Sequence, residues 1–235
     1  MPNWVISRIF ITGPEDKIKE FEDKVIDMSG DAEKVFSFQR ILPTPAELVN
    51  TMSPNPRPTI QKVINNKGEE ETVEIYPMFL NEREMKAAAG RGETPPEPIV
   101  CNNATPQMYE DLILKYGRSN WYDWQLFNWG TKWDACESFY HKEDKILQFE
   151  TAWSCPSGVI EKMADMFPNL RFNGIYADED FGSNAGYIEN GVSYAFDNQS
   201  EEACETAAIL WGYEGHYDND KGKWIFDGEE EDEDE

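Results

Sequence analysis

The sequence predicts an α+β fold: a ferredoxin-like antiparallel sheet built from split strand–helix–strand units, with a long insertion and C-terminal additions. Three observations support this prediction. Alternating apolar residues over 3–12, apolar residues at helical spacing over 18–28 and a β-rich run over 35–42 form one strand–helix–strand unit. The same order recurs over 146–177. A proline-rich stretch of different composition, 43–105, separates the two halves.

Local signals place the boundaries of the early elements. Thr12 and Glu15 are three residues apart and predict a capping box at the first helix. In the insertion, 65–68 (Asn-Asn-Lys-Gly) predicts a hairpin turn, and a short helix is expected around 81–89. Thr105-Pro106 then begins a helix that Gly117 ends, and a shorter aromatic helix follows over about 120–129.

The second half of the chain has the clearest strand pattern, because residues 146–153 alternate strictly between two faces. Residues 133–141 are expected to pair with them. Pro156 predicts the start of a helix, and Asn190-Gly191 predicts a hairpin because both residues tolerate positive φ. Further expected elements are a strand over 170–177, a last helix capped by Asn198 and Glu201, and a short strand over 224–226.

These elements predict a single domain over 1–228, with the insertion at about 43–130. Residues 229–235 are seven consecutive acids, and such a run repels itself and is expected to be a disordered acidic tail.

Composition restricts the partners. The 21 basic and 46 acidic residues give a net charge of −25, which disfavours direct binding to nucleic acid or to an anionic membrane. No secretory signal and no run of about 20 apolar residues is present. The four cysteines are widely spaced, which favours reduced thiols. We therefore expect a protein of the host-cell cytoplasm; the sequence leaves its oligomeric state open.

Three segments of the chain are distinctive together: ILPTPAEL at 41–48, WYDW at 121–124 leading to NWGTKWD at 128–134, and FETAWS at 149–154 followed by Pro156. In these segments the chain resembles the YubB-like proteins of phages and plasmids, a family to which a ferredoxin-like domain is assigned. The resemblance spans most of residues 1–180. It implies a mobile-element accessory protein with that fold and brings no established activity. Two positions depart from the family: Cys155 replaces a second proline, and Asp178–Gly182 replaces a glycine-rich segment.

We expect no catalytic residue, no cofactor and no metal site. Cys155 precedes a predicted helix, but no motif places His141 or His216 beside it as a base, so a structural cysteine is favoured. Cys136 and His141 are five residues apart without a second pair at zinc-like spacing.

Two groups of side chains are candidate binding residues. An acidic surface is predicted from carboxylates that follow a strand or lie in a turn, the alternative being plain solvated loops. These carboxylates are Asp178, Glu179, Asp180, Asp218 and Asp220. An aromatic scaffold packed against the sheet is predicted from tryptophans, the alternative being stacking of sugars or bases. These tryptophans are Trp121, Trp124, Trp129, Trp133 and Trp153.

The charge is the remaining signal for function. Residues 1–226 hold 38 acidic and 21 basic side chains, a net −17, so acidity belongs to the body of the protein as well as to its tail. General solubility is the plain interpretation. The sharper one is a non-enzymatic accessory protein that binds and inhibits a basic host protein, such as a nucleic-acid-handling or defence factor, as a DNA mimic.

Two alternatives stay open. One is a small metal-dependent enzyme acting on a nucleotide or small molecule, with the metal held by residues 178–180. The other is a self-assembling structural protein that uses a sheet edge or the tryptophan-rich helix.

Overall fold

The computed structural model describes residues 2–28, 35–53, 59–79, 82–96 and 100–228. The chain forms two compact units, one of Pro43–Asn128 and one that combines Pro2–Leu42 with the residues from Trp129 onward. The predicted tail over 229–235 lies outside the described residues. In chain order the elements are β1 (Trp4–Thr12), α1 (Glu15–Val25), α2 (Ala46–Val49), β2 (Thr59–Ile64), β3 (Glu70–Phe79), α3 (Glu82–Gly90), β4 (Val100–Ala104), α4 (Pro106–Tyr116), α5 (Trp121–Asn128), β5 (Cys136–His141), β6 (Ile146–Ala152), α6 (Ser157–Met166), β7 (Arg171–Asp178), β8 (Gly186–Glu189), β9 (Val192–Ala195), α7 (Glu201–Trp211), β10 (Gly215–Asp218) and β11 (Lys223–Phe226).

The larger unit is built on a six-stranded sheet in the order β5-β6-β1-β7-β8-β9, in which every pairing is antiparallel. Strand β1 is central because it pairs with β6 on one side and β7 on the other. Helix α6 connects β6 to β7 across β1, and α1 follows β1 itself. This is the ferredoxin-like arrangement, extended by the β8–β9 hairpin and by α7, and the predicted fold class is confirmed.

The predicted strand over 35–42 is wrong. Phe36 makes an isolated bridge to Ile26, and Phe38–Arg40 forms a 3-10 helix. Side chains satisfy this backbone: the Asp134 carboxylate accepts from Phe38 N–H at 2.6 Å, and Ser138 Oγ accepts from Phe36 N–H at 3.1 Å. The second strand of the first strand–helix–strand motif is instead β5, which comes after residues 43–128 in the chain.

Both predicted caps are also wrong. Helix α1 begins after Pro14 without a side-chain cap, and it ends at Val25. Helix α7 is capped by Ser200, whose Oγ accepts from Ala203 N–H at 3.2 Å. The Asn198 side chain instead accepts from Asn184 N–H at 3.3 Å, so it holds a neighbouring loop.

One face of the sheet carries the main apolar core. The alternating residues of β1, β6 and β7 that point to this face are fully buried, and α1 packs on them through Phe21, whose ring lies 5.6 Å from that of Phe172 and 5.3 Å from that of Phe167. Phe38 contacts both Phe149 and Trp129 through its ring. The buried residues of this face are Val5, Ile9, Ile11, Leu147, Phe149, Phe172, Ile160 and Met163.

The opposite face is covered in part by α7. Small side chains bring this helix close to the strands, because Ala203 and Ala207 pack with Ala177 and Ala185. The Trp211 indole N–H donates to the Ala177 carbonyl at 3.2 Å. The β10–β11 hairpin is joined to the same region by ring contacts among Phe181, Tyr213, Trp224 and Phe226.

The smaller unit holds a three-stranded antiparallel sheet, β2-β3-β4, and the helices α2 to α5. The predicted hairpin turn is confirmed: Asn65 Oδ1 accepts from the N–H groups of Lys67 and Glu69, and Gly68 has φ +80°. Helix α4 begins at Pro106 and ends before Gly117, which has φ +73°, as predicted. The Thr105 side chain caps it.

No helix in the described parts of the chain is long and apolar enough to span a membrane.

A candidate binding site at the acidic end of the sheet

The five predicted scaffold tryptophans separate into two groups. Trp121 and Trp124 belong to the smaller unit and are buried there. Trp129 is fully buried in the larger unit, where its indole N–H donates to the Leu42 carbonyl at 2.7 Å. Trp133 is half-buried in the same unit, and Trp153 is 46% exposed. Trp153 is therefore not part of a packed core, contrary to the prediction.

Lys132 joins the two more accessible tryptophans. Its Nζ lies 3.8 Å from the ring centroid of Trp133 and 3.4 Å from that of Trp153, and the lysine is only 7% exposed. The Trp133 ring also lies 6.3 Å from that of Trp4, at the start of β1. This is a cation between two indoles, an arrangement that holds both rings in fixed positions.

The backbone presents the Trp153 side chain outward. Trp153 has φ +73°, an uncommon value for a bulky residue, and so it leaves the alternation of β6 immediately after Ala152. Its N–H donates to the Asn3 carbonyl at 2.9 Å, and its carbonyl accepts from Asn184 Nδ2 at 2.9 Å. Contacts with two distant segments therefore hold the left-handed conformation.

The prediction that Asp178 belongs to an acidic surface is wrong. It is 5% exposed, and both of its carboxylate oxygens are used: Oδ1 accepts from Asp180 N–H at 2.9 Å and Oδ2 accepts from Asn184 Nδ2 at 3.1 Å. Since Asn184 also bonds to Trp153, Asp178 fixes the loop that supports the exposed indole.

Three other carboxylates meet at this end of the sheet. Glu150 pairs in register with Ile6 on β1, and Glu179 N–H donates to the Trp4 carbonyl at 2.8 Å. Glu137 lies in the irregular start of β5, with φ +43°. Burial raises the pKa of Glu150, and the charges of Glu137 and Glu179 raise it further. In the described residues no ion pair joins these three carboxylates to a cation.

Acidity increases toward the C-terminus. Between Phe172 and Gly228 there are twelve acidic and two basic residues, a net −10; we call residues 172–228 the acidic segment. Its exposed carboxylates include the predicted Glu179, Asp180 and Asp220, together with Glu201, Glu202, Glu205 and Glu214. Asp218 is half-buried, and its Oδ1 accepts from the N–H groups of Asp220 and Lys221, so it serves its own turn.

A cysteine nucleophile and a metal site have less support in this structure than a binding surface has. Burial raises the pKa of Cys155 to about 12, so the thiol is protonated at neutral pH and is not an activated nucleophile. Over residues 2–28, 35–53, 59–79, 82–96 and 100–228, no group of three or more His, Cys, Asp or Glu residues is placed to hold a metal ion. Asp178, the first of the three acids in the metal hypothesis, already uses both oxygens within the protein.

Sequence reasoning missed four residues of this site: Lys132, Glu137, Glu150 and Asn184. Two of them left a signal. Lys132 stands between Trp129 and Trp133 in the sequence, and Glu150 occupies the polar side of the alternating strand. Glu137 and Asn184 are brought to the site by a strand irregularity and by a loop contact, which no local pattern reports.

Comparison with known proteins gives one match. A family model described as a ferredoxin-like domain in Api92-like protein matches residues 128–217. The match begins just before β5 and runs into β10, and so the central strand β1 lies outside it. No curated protein and no solved structure matches the chain.

Proposed function

We propose that this chain is a non-enzymatic protein that binds a basic partner protein through its acidic segment. One observation carries the proposal: carboxylates outnumber cations twelve to two over residues 172–228, and most of them are exposed. Such a surface attracts a cationic partner over long distances and speeds its association.

The site at the end of the sheet supports the same function. Burial raises the pKa of Glu150, and the negative charges of Glu137 and Glu179 raise it further. A basic side chain of a partner placed beside Glu150 would oppose this shift, because an opposite charge favours the ionised form.

The resemblance to YubB-like proteins of phages and plasmids supports a narrower proposal. In it the protein is a mobile-element accessory factor that acts in the host cytoplasm, and its partner is a host protein that handles nucleic acid or takes part in defence. An acidic protein of this kind inhibits by occupying the surface that binds phosphates, as a DNA mimic does.

The test is affinity capture from a bacterial lysate at low salt, with mass spectrometry. The full chain is one bait, and the matched bait carries Glu179→Gln, Glu205→Gln and Glu214→Gln. We expect a protein retained by the first bait and lost from the second. The purified complex should weaken as salt rises from about 0.05 to 0.5 M, because exposed ion pairs are screened over that range.

Two results contradict the proposal. One is recovery of nothing but abundant ribosomal and histone-like proteins, which indicates binding by charge without specificity. The other is a complex whose affinity does not change with salt, since attraction between exposed charges requires that it does.

A further inference from the structure

The exposed indole of Trp153 has one occupied face and one open side. Lys132 Nζ lies 3.4 Å from the centroid of the ring and so covers a single face, while 46% of the residue stays accessible. Large aromatic residues held rigidly at a surface are the usual anchors of protein interfaces. Because its position is fixed on one side by Lys132 and at the backbone by Asn184, this indole loses little freedom when a partner binds.

Carboxylates lie at the same end of the sheet as the indole. Glu150 is on β6, three residues before Trp153, and Glu179 follows Asp178, whose carboxylate shares Asn184 with the Trp153 carbonyl. The strand β1 links them further, since Asn3 accepts from Trp153 N–H and Trp4 accepts from Glu179 N–H. A planar aromatic surface is thus combined with negative charge that no cation among the described residues pairs.

We infer that Trp153, together with Glu150 and Glu179, binds arginine side chains of the basic partner, an inference that rests on the function proposed above. A guanidinium is planar, so it stacks on an indole while its N–H groups donate to neighbouring carboxylates. Charge complementarity selects a basic ligand. Of lysine and arginine, the two basic side chains that are fully charged at neutral pH, the flat exposed ring selects the planar one.

Lys132 strengthens the preference for arginine. A cation already lies on one face of the Trp153 ring, which weakens the ring's electrostatic attraction for a second cation on the other. Stacking contact and hydrogen bonds to carboxylates then supply the binding free energy. Arginine makes both, whereas the lysine ammonium is a compact, strongly hydrated point charge.

The experiment uses the full chain and two peptides of equal charge, one of eight arginines and one of eight lysines, with affinities measured by calorimetry at low salt. The test variant is Trp153→Gly, because glycine adopts the positive φ of this position freely and the fold should be kept. The control is Phe10→Ala near the other end of β1, an exposed aromatic residue of the same unit that lies outside the acidic segment. Circular dichroism verifies that each variant is folded.

We expect the arginine peptide to bind more tightly than the lysine peptide. Trp153→Gly should weaken the arginine peptide by about fivefold, the effect of a stacking contact worth about 1 kcal/mol, and the lysine peptide less. Phe10→Ala should leave both affinities unchanged.

Three outcomes would overturn the inference. If Trp153→Gly changes neither affinity while Glu179→Gln, Glu205→Gln and Glu214→Gln together weaken both, the acidic surface binds without the indole and the proposed function stands. If Trp153→Gly weakens both peptides equally, the preference for arginine is wrong. If neither variant affects either peptide, the proposed function loses its support together with this inference.

Discussion

Two surfaces of the larger unit are rich in carboxylates and use them differently. Around α1 several acids have partners: Glu20 lies 3.0 Å from Lys17 and 2.7 Å from Lys24, and Asp27 lies 2.6 Å from Arg40. In the acidic segment, 172–228, the exposed acids Glu179, Glu205 and Glu214 make no ion pair with a described residue. These α1 carboxylates are paired within the protein, whereas the three named acids of the acidic segment are exposed and form no ion pair among the described residues.

The pKa directions separate the α1 surface from Glu150, which lies on β6 outside the acidic segment. Hydrogen bonds from Lys24 and Lys17 lower the pKa of Glu20, so its charged form is favoured. Burial and like charges raise the pKa of Glu150, so its charged form is disfavoured. The burial of each carboxylate and the charges around it set the direction of its pKa.

The largest effect is expected on binding. Glu179→Gln, Glu205→Gln and Glu214→Gln remove three unpaired charges, and if each makes one exposed pair worth about 0.5 kcal/mol in a complex, affinity for a basic peptide falls about tenfold. The matched variant, Glu20→Gln, Glu22→Gln and Asp27→Asn, removes the same charge from the α1 surface. Calorimetry at low salt should show a much smaller loss for this variant. Equal losses would mean that net charge alone determines binding.

A smaller effect is expected on stability at the α1 surface. The side chain of Glu22 accepts from the Tyr140 hydroxyl at 2.9 Å and lies 3.4 Å from Lys145 Nζ, with only 11% of it exposed. Glu22→Ala should lower the free energy of unfolding by about 1 kcal/mol, because a partly buried hydrogen bond to a charged group is lost. Urea denaturation measures this as a lower midpoint at constant slope.

Asp23→Ala is the control for that change, since Asp23 is exposed on the same helix. Its midpoint should not move. If Glu22→Ala also leaves the urea midpoint unchanged, the α1 pairs do not stabilise the fold. The two acidic surfaces then do not differ in their contribution to stability.

The sequence predicted the fold where the determining forces are local. Strands β1, β6 and β7 were found because alternating burial leaves a period of two, and the hairpin at Asn190-Gly191 because both residues have positive φ, +49° and +88°. The strand over 35–42 failed because Phe38 N–H bonds to Asp134, 96 residues away, in place of a neighbouring strand. Periodicity cannot report that bond.

The site was predicted less well for a related reason. Glu179 and Trp133 were identified by residue type. Their place at the site depends on the start of β1 lying beside the ends of β6 and β7, at one end of the sheet. Trp153 was expected inside because the period of two continues through it, and Asn184 reverses this by holding its carbonyl. Asp178 was expected outside because acids usually are; two hydrogen bonds make its burial tolerable.

The smallest effect distinguishes Glu150, at the end of the sheet, from Glu20 on the α1 surface by its sign. The folded-state pKa of Glu150 is raised, so the folded protein binds this proton more tightly than the unfolded chain, and ionised Glu150 destabilises the fold at neutral pH. As the pH falls through the raised pKa this penalty is lost, and it is absent below the ordinary value of 4.5. Glu150→Gln should therefore raise the melting temperature at pH 7 and have little effect near pH 3.

Glu20→Gln should do the opposite. Glu20 stabilises the fold above pH 4.5, and its contribution is lost as the pH falls through the lowered pKa, so this variant should have a lower melting temperature at pH 7. Thermal melts of both variants across that range test the difference, and a lower melting temperature for Glu150→Gln at pH 7 would place Glu150 among the structural carboxylates.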